Sequence, residues 1–318
     1  MNASKKQVAL ILLKLLLNQE VFLLPSESRV NKNSNKFFIS IDLEDFTYDT
    51  LRNLGQDLRT NHLALENCYK SISDFSSKFL DNSKFTFFTT GTLAREYPEL
   101  ISKISADGNE ISSHYNFHDL MYKQSLDEVE ENIIIAKESI KNACGTIPRG
   151  FRAPAFSIDP FNTKVYKLLA KHFTYDSSYI LNDIHDKNYK KIFKEYPDLD
   201  LIEFPIVTKK SLRLFNLKSG GTYFRLLPVN YIKSIMNVSL ENNFIPQIYL
   251  HPYDLLHKKE FMVNLKFFIQ SKGIPSGLVS YFRQHQWLSL GNKSTLKKLA
   301  NISTEYEHLG TYESYLGI

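Results

Sequence analysis

Cysteine is nearly missing from this chain: Cys68 and Cys144 are the only two among 318 residues. So far apart, they form neither a disulfide framework nor a Cys-x-x-Cys metal site, and both read as buried or incidental thiols. Tryptophan occurs once. No apolar run reaches the roughly 18 uninterrupted residues of a membrane-spanning helix, so no stable transmembrane segment is expected. A Gly-x-Ser-x-Gly elbow, a phosphate-binding Gly-rich loop and a dinucleotide fingerprint are all absent, which disfavours serine hydrolase, kinase and dehydrogenase readings. Long basic blocks are lacking too. The 39 Lys and Arg residues leave a formal charge of +5 but are scattered, so nucleic acid is not an expected partner.

What is present is 43% hydrophobic and 13% aromatic residues, ample for one large core. Residues 1–24 read as an amphipathic or apolar helix. Lys5 and Lys6 precede the apolar run Val8 to Leu17, as in a signal peptide, but Lys14 interrupts the run and Asn18-Gln19-Glu20 follows without a small-residue cleavage site. The expected location is therefore the cytoplasm or its membrane face, and secretion if residues 1–24 act as a signal. The domain reading is an N-terminal helix and polar linker over 1–35, a catalytic domain over 36–290 and a C-terminal tail over 291–318.

Within the catalytic domain, short apolar runs alternate with helical stretches. Strand-like runs are FFISI at 37–41, FTFFTT at 85–90, EISSH at 110–114, GFRAP at 150–154, LIEFPIV at 201–207 and PQIYLHP at 246–252. Helices are expected at 63–80, 93–105, 128–144 and 162–172 and after Pro228. This alternation predicts an α/β fold with a parallel sheet, and seven or so units should curl into a distorted (β/α)7-8 barrel with chemistry at the strand C-terminal ends.

Two clusters stand at such ends. Asp42-Leu43-Glu44-Asp45 packs three carboxylates into four residues, a crowding that needs a cation, unless the segment is a solvated acidic loop or a helix cap. His114-Tyr115-Asn116-Phe117-His118 is a His-x-x-x-His, which brings two imidazoles to one face of a helical turn, although surface or core histidines fall at that spacing by chance as well. Joined with one carboxylate, the histidines make a set that leaves positions free for water and a substrate oxygen. A divalent ion there lowers the pKa of bound water from 15.7 toward about 7 and polarises an acyl carbonyl, the two needs of amide hydrolysis.

These strings occur in an order that resembles the NodB-homology polysaccharide deacetylases of carbohydrate esterase family 4. Asp42 to Asp45 is similar to the first motif, SSHYNFH at 112–118 to the second, Arg152-Ala153-Pro154 to the third and Leu250-His251-Pro252 to the last. GFRAPAFSID at 150–159, YDSS at 175–178, IEFPI at 202–206, GGTYFRLLP at 220–228 and YLHPYDL at 249–255 resemble the subgroup associated with exopolysaccharide and exosortase loci. The resemblance covers about residues 36–260.

It implies Asp42 as general base and Asp45, His114 and His118 as metal ligands, with Glu44 as alternative ligand because Leu43 and Glu44 separate two acids that many members have side by side. Arg152 would orient Asp42, and the backbone N–H near Ala155 would stabilise the oxyanion. His251 would protonate the leaving amine, tuned by Asp176, or by Asp183 or Asp186, since that segment lacks the tryptophan often found there. Ala155, Phe156, Tyr223, Phe224 and Arg225 are candidate glycan contacts, although core packing serves aromatic residues beside Leu226-Leu227 equally well. The expected cofactor is Zn2+, with Co2+, Ni2+, Fe2+ or Mn2+ also suited to the donors. The expected partner is an N-acetylated glycan or its lipid-linked precursor. Alternatives are a small-amide deformylase or amidohydrolase on the same fold, and a glycan-binding module without turnover.

Overall fold

A computed structural model describes residues 35–56, 62–183, 185–194, 199–211, 215–256 and 259–318. The expected helix over 1–24 lies outside the described residues.

The chain opens with β1 (Lys36–Leu43), buried from Phe37 onward as an internal parallel strand must be. It passes through α1 (Phe46–Asn53) and α2 (His62–Phe79) to β2 (Thr86–Thr89). The helix expected at 93–105 is two, α3 (Gly91–Glu96) and α4 (Pro98–Ala106), because Pro98 ends the first and serves as the opening residue of the second. After β3 (Glu110–Ser113) comes α5 (Leu126–Cys144), opened by a Ser125/Glu128 capping box and closed by Gly145 in the left-handed conformation. Both α3 and α4 pack on it.

Next are β4 (Gly150–Phe151), α6 (Thr163–His172), β5 (Tyr175–Asp176), β6 (Ile180–Leu181) and α7 (Lys187–Phe193). Gly150 is obligatory, since a Cβ there would sit 1.9 Å from the Tyr175 ring. The LIEFPIV run is broken at Phe204-Pro205 into β7 (Ile202–Glu203) and β8 (Ile206–Val207). The chain continues through the hairpin of β9 (Lys209–Ser211) and β10 (Phe215–Leu217), then α8 (Gly221–Leu226), α9 (Val229–Glu241), β11 (Gln247–Leu250) and α10 (Pro252–Leu255). A helical hairpin follows, α11 (Leu265–Lys272) and α12 (Ile274–Ser289), and then α13 (Thr295–Ser303), β12 (Glu307–His308) and α14 (Tyr312–Leu316).

The sheet runs β11-β1-β2-β3-β4-β5-β7, every ladder parallel. It is a half-barrel, and Ser177 Oγ, just beyond β5, reaches across to Gln247 Oε1 on the end strand β11 at 3.3 Å. The main core lies between this sheet and its helices, around Ile39, Ile41, Phe87, Ile101, Ile111 and Ile248.

Residues 291–318, expected as a tail, are built into the fold. Strand β12 pairs with the start of β1, and Tyr312 is fully buried, stacked on Phe38 at 4.4 Å. Burying that aromatic ring and continuing the ladder explains why the segment does not hang free.

Candidate active site

Strand β1 ends on alternating side chains, and the pleat decides their fates. Asp42 faces the barrel mouth, where Arg152 Nη1 sits 2.6 Å from its Oδ1. Arg152 is fully buried and spends its other donors on Ser40 Oγ (2.8 Å), Ser177 O (3.2 Å), Ser177 Oγ (2.9 Å) and the Tyr312 hydroxyl (3.4 Å). With its guanidinium over the Phe88 ring at 4.1 Å, it has no freedom to leave Asp42.

Glu44 points into the same mouth. Its Oε2 lies 2.6 Å from His118 Nε2 and 4.0 Å from His114 Nε2, and one donor atom from each of the three falls within 4.8 Å of the others. The structure thus gathers Glu44, not the favoured Asp45, with the histidines. Asp45 is spent as the N-cap of α1, accepting the Tyr48 N–H at 3.0 Å. Burial pushes its carboxyl up to about 6, against hydrogen bonds from Tyr48 and Thr47.

The histidines do not share a helical turn as expected. They converge from a loop bent at Tyr115, whose φ of 70° is left-handed, leaving the rings 5.5 Å apart. His114 Nδ1 is 2.7 Å from the Arg152 carbonyl, which can only accept, so Nδ1 carries the hydrogen and Nε2 keeps its lone pair toward Glu44. That tautomer and the converging carboxylate fit a divalent cation. The electrostatics of His114 agree. Burial favours a neutral His114 and lowers its pKa to about 4. Against burial, Glu44 holds His118 up at about 9, while the three imidazoles His118, His251 and His114 hold the Glu44 carboxyl far below its usual range.

His251 follows β11 and completes the mouth, with Nε2 4.0 Å from Asp42 Oδ2 and 3.9 Å from Glu44 Oε1. Its ring stacks on Tyr253 at 4.9 Å. The partner expected for it, Asp176, is elsewhere: fully buried, it accepts from Ser178 Oγ at 2.5 Å and shares a hydrogen bond with Glu203, and burial drives both carboxyls toward the protonated form. Asp186 instead caps α7 and accepts from Tyr179, and Asp183 accepts from the His185 N–H.

The carboxylate that does hold His251 is Asp254, which sequence reading missed although it stands three residues on, in YLHPYDL. Asp254 Oδ2 meets His251 Nδ1 at 2.7 Å and its backbone N–H at 2.9 Å. Burial alone would favour a neutral ring, but Asp254, with Glu44 and Asp42 beyond, raises the His251 pKa above its ordinary value. Asp254 is itself held by Arg225, whose Nε lies 2.5 Å from Oδ1 with both side chains buried. Arg225 is therefore not a groove residue. Nor is Phe224, fully buried in the main core, and Tyr223 is half-buried against that core.

Asp42, Glu44, His114, His118 and His251 floor a cavity of about 500 Å3. Ala155 and Phe156 line it as expected, both on left-handed backbone (φ 51° and 56°). Two further parts were not foreseen. Asp49, one turn into α1, faces the cavity, and burial pushes its carboxyl up to about 7 against the pull of His118. The α11–α12 hairpin supplies a whole wall through Phe268, Lys272, Arg283, Gln284 and Trp287. Cys68 and Cys144 form no disulfide, as read from the sequence.

Comparison with known proteins shows two overlapping matches along the chain. Residues 66–191 match the polysaccharide deacetylase family model, and residues 175–300 match a domain of unknown function, DUF3473. His114, His118 and Arg152 fall in the first match and His251 and Asp254 in the second. A chitooligosaccharide deacetylase of Bradyrhizobium sp. (strain ANU 289) is 36% identical over 70 residues, 22% of this chain and 32% of that protein. A peptidoglycan-N-acetylglucosamine deacetylase of Bacillus cereus is 31% identical over 86 residues, 26% of this chain and 31% of its own. The matched stretch thus spans about a third of these curated relatives. A solved structure from Mycobacterium smegmatis, assigned as a polysaccharide deacetylase, aligns over 92% of this chain and 93% of its own at 16% identity and a TM-score of 0.49.

Proposed function

We propose that this chain, whose residues 66–191 match the polysaccharide deacetylase family model, hydrolyses acetyl groups, N-linked or O-linked, from sugars of a surface glycan or its lipid-linked precursor. One observation carries this reading. The Glu44, His114 and His118 donors converge beside an arginine-held Asp42 and a carboxylate-held His251 on the floor of one cavity.

Glu44, His114 and His118 would hold a divalent cation, Zn2+ being the default for such donors, and it would supply Lewis acidity toward the acyl carbonyl and the attacking water. Asp42, kept in place by Arg152, accepts a proton from that water as its oxygen bonds to the acyl carbon. The Ala155 backbone N–H donates to the developing oxyanion. His251, protonated at Nε2 and held by Asp254, gives its proton to the nitrogen as the carbon–nitrogen bond breaks, so acetate and a free amine leave. With an O-linked acetyl group the same proton goes to the alcohol oxygen. Phe156 offers an aromatic face beside these groups for a sugar ring.

The test is acetate release from N-acetylglucosamine oligomers and lipid-linked glycan precursors, with and without chelator, beside Asp42→Asn and His114→Ala. Release that chelator and both substitutions abolish is expected. Tight metal binding with no acetate from any glycan would overturn the proposal.

A further inference from the structure

Helix α12 is apolar on the side that packs and also on the side that does not. Inward, Gly277 lets it approach α11 so closely that a Cβ would come within 2.9 Å of the Ile269 backbone, and Leu288 is fully buried. Outward, Ile274 (63% exposed), Val279 (59%), Phe282 (64%) and Trp287 (52%) face solvent, joined by Leu278 and Leu290. Among the described residues, six of the fifteen exposed large apolar side chains fall within Ile274 to Leu290. Such concentration marks a surface that meets something.

Charge says what. Residues 261–304 contain no Asp or Glu, in a chain where acids are about one residue in nine, yet they carry Lys266, Lys272, Arg283, Lys293, Lys297 and Lys298. Lys298 is engaged with the carbonyls of Phe224, Arg225 and Leu227, but Lys266, Lys272, Arg283, Lys293 and Lys297 are exposed. Exposed aromatic and aliphatic side chains in a segment that carries cations and no acid of its own are complementary to an anionic lipid bilayer. The same helix forms the cavity wall through Ser280, Arg283, Gln284 and Trp287, so a surface meeting its outer face lies beside the cavity mouth.

We propose that the α11–α12 hairpin docks on an anionic membrane surface and so presents the cavity to glycans carried on lipid. The docking stands on the hairpin alone; only the identity of the cargo rests on the function proposed above.

The test mixes the whole protein with vesicles of phosphatidylcholine, with and without phosphatidylglycerol, and follows sedimentation and Trp287 fluorescence. Trp287 is the only tryptophan, so its signal comes from the hairpin and not from the apolar segment Val8 to Leu17. Expected are binding to the anionic vesicles that weakens with salt, and a blue shift of the emission. The pair Val279→Ser and Phe282→Ser, neither lining the cavity, should lower partitioning by roughly tenfold or more, whereas Phe161→Ser, more exposed but elsewhere, should not. Acetate release from soluble oligomers should be unchanged in the pair. Absence of vesicle binding, binding untouched by the pair, a fluorescence shift caused by N-acetylglucosamine oligomers instead of vesicles, or a dimer that the pair disperses in place of membrane binding would each overturn the proposal. Acetate release without vesicle binding rejects docking alone, and vesicle binding without acetate release rejects the glycan reading alone.

Discussion

Arg225 is the residue whose loss should be felt both in folding and in chemistry. Its Nε neutralises Asp254 at 2.5 Å inside the protein, and its two Nη groups donate to Leu290 O, Trp287 O, Asn292 Oδ1 and Thr222 Oγ1. Arg225→Met fills much of the same volume but leaves a buried carboxylate without its cation. Breaking a buried pair in this way costs about 3–5 kcal/mol. At about 2 °C per kcal/mol for a domain of this size, the melting temperature should fall by roughly 6–10 °C. Arg225→Met combined with Asp254→Asn removes the stranded charge, so the double variant should recover part of that loss, with a coupling of about 1–3 kcal/mol in a denaturation cycle. Acetate release should stay low in both, since Asp254, the anchor of His251, loses its own holder in the single variant and its charge in the double. Additive effects on stability, or a single variant within about 0.5 kcal/mol of the parent, would refute the claim that the ion pair is what holds Asp254.

Glu44→Ala should abolish bound metal, read by elemental analysis, together with activity. Asp45→Ala should keep the metal and lose only about 1 kcal/mol as a missing helix cap; the reverse pattern would restore Asp45 as ligand. For pH, the proposed role of His251 as acid requires it protonated, and its raised pKa keeps it so to higher pH than a free histidine, so activity should fall as pH rises through that value. Asp254→Asn removes the raising carboxylate while burial, which lowers the pKa, remains. The basic limb of kcat/KM should therefore move to lower pH, and an unmoved limb would mean that another group is the acid.

How much of this could be read from the sequence depended on locality. The sheet was legible because parallel strands buried on both faces are continuous apolar runs, as in FFISI and FTFFTT. The helix pair around Pro98 was read as one helix because amphipathic periodicity continues across the proline. Within the site, Asp42, His114, His118, Arg152 and His251 fall together as expected. Choosing between Glu44 and Asp45 was beyond spacing, because it turns on the pleat at the end of β1 and on which carboxylate α1 takes as its cap. Asp254 was missed for a different reason: the expected helper lay on another strand, whereas the observed one sits in the same short turn as its histidine. The hairpin wall was invisible, since apolar residues at helical spacing read as core until the packing shows that, among the described residues, none covers them.

The pairing of β12 with β1 and the burial of Tyr312 against Arg152 impose an order in time. A chain is made from its amino end, and residues 307–312 leave the ribosome after every residue of the candidate site. Asp42, the histidines and Arg152 can gather beforehand, but the pocket that confines the guanidinium closes only when this segment arrives. A protein clipped before Tyr312 would then keep the donors proposed for a cation and lose one of the contacts that confine Arg152 beside Asp42, so a single cut far from the cavity should weaken turnover more than binding of metal.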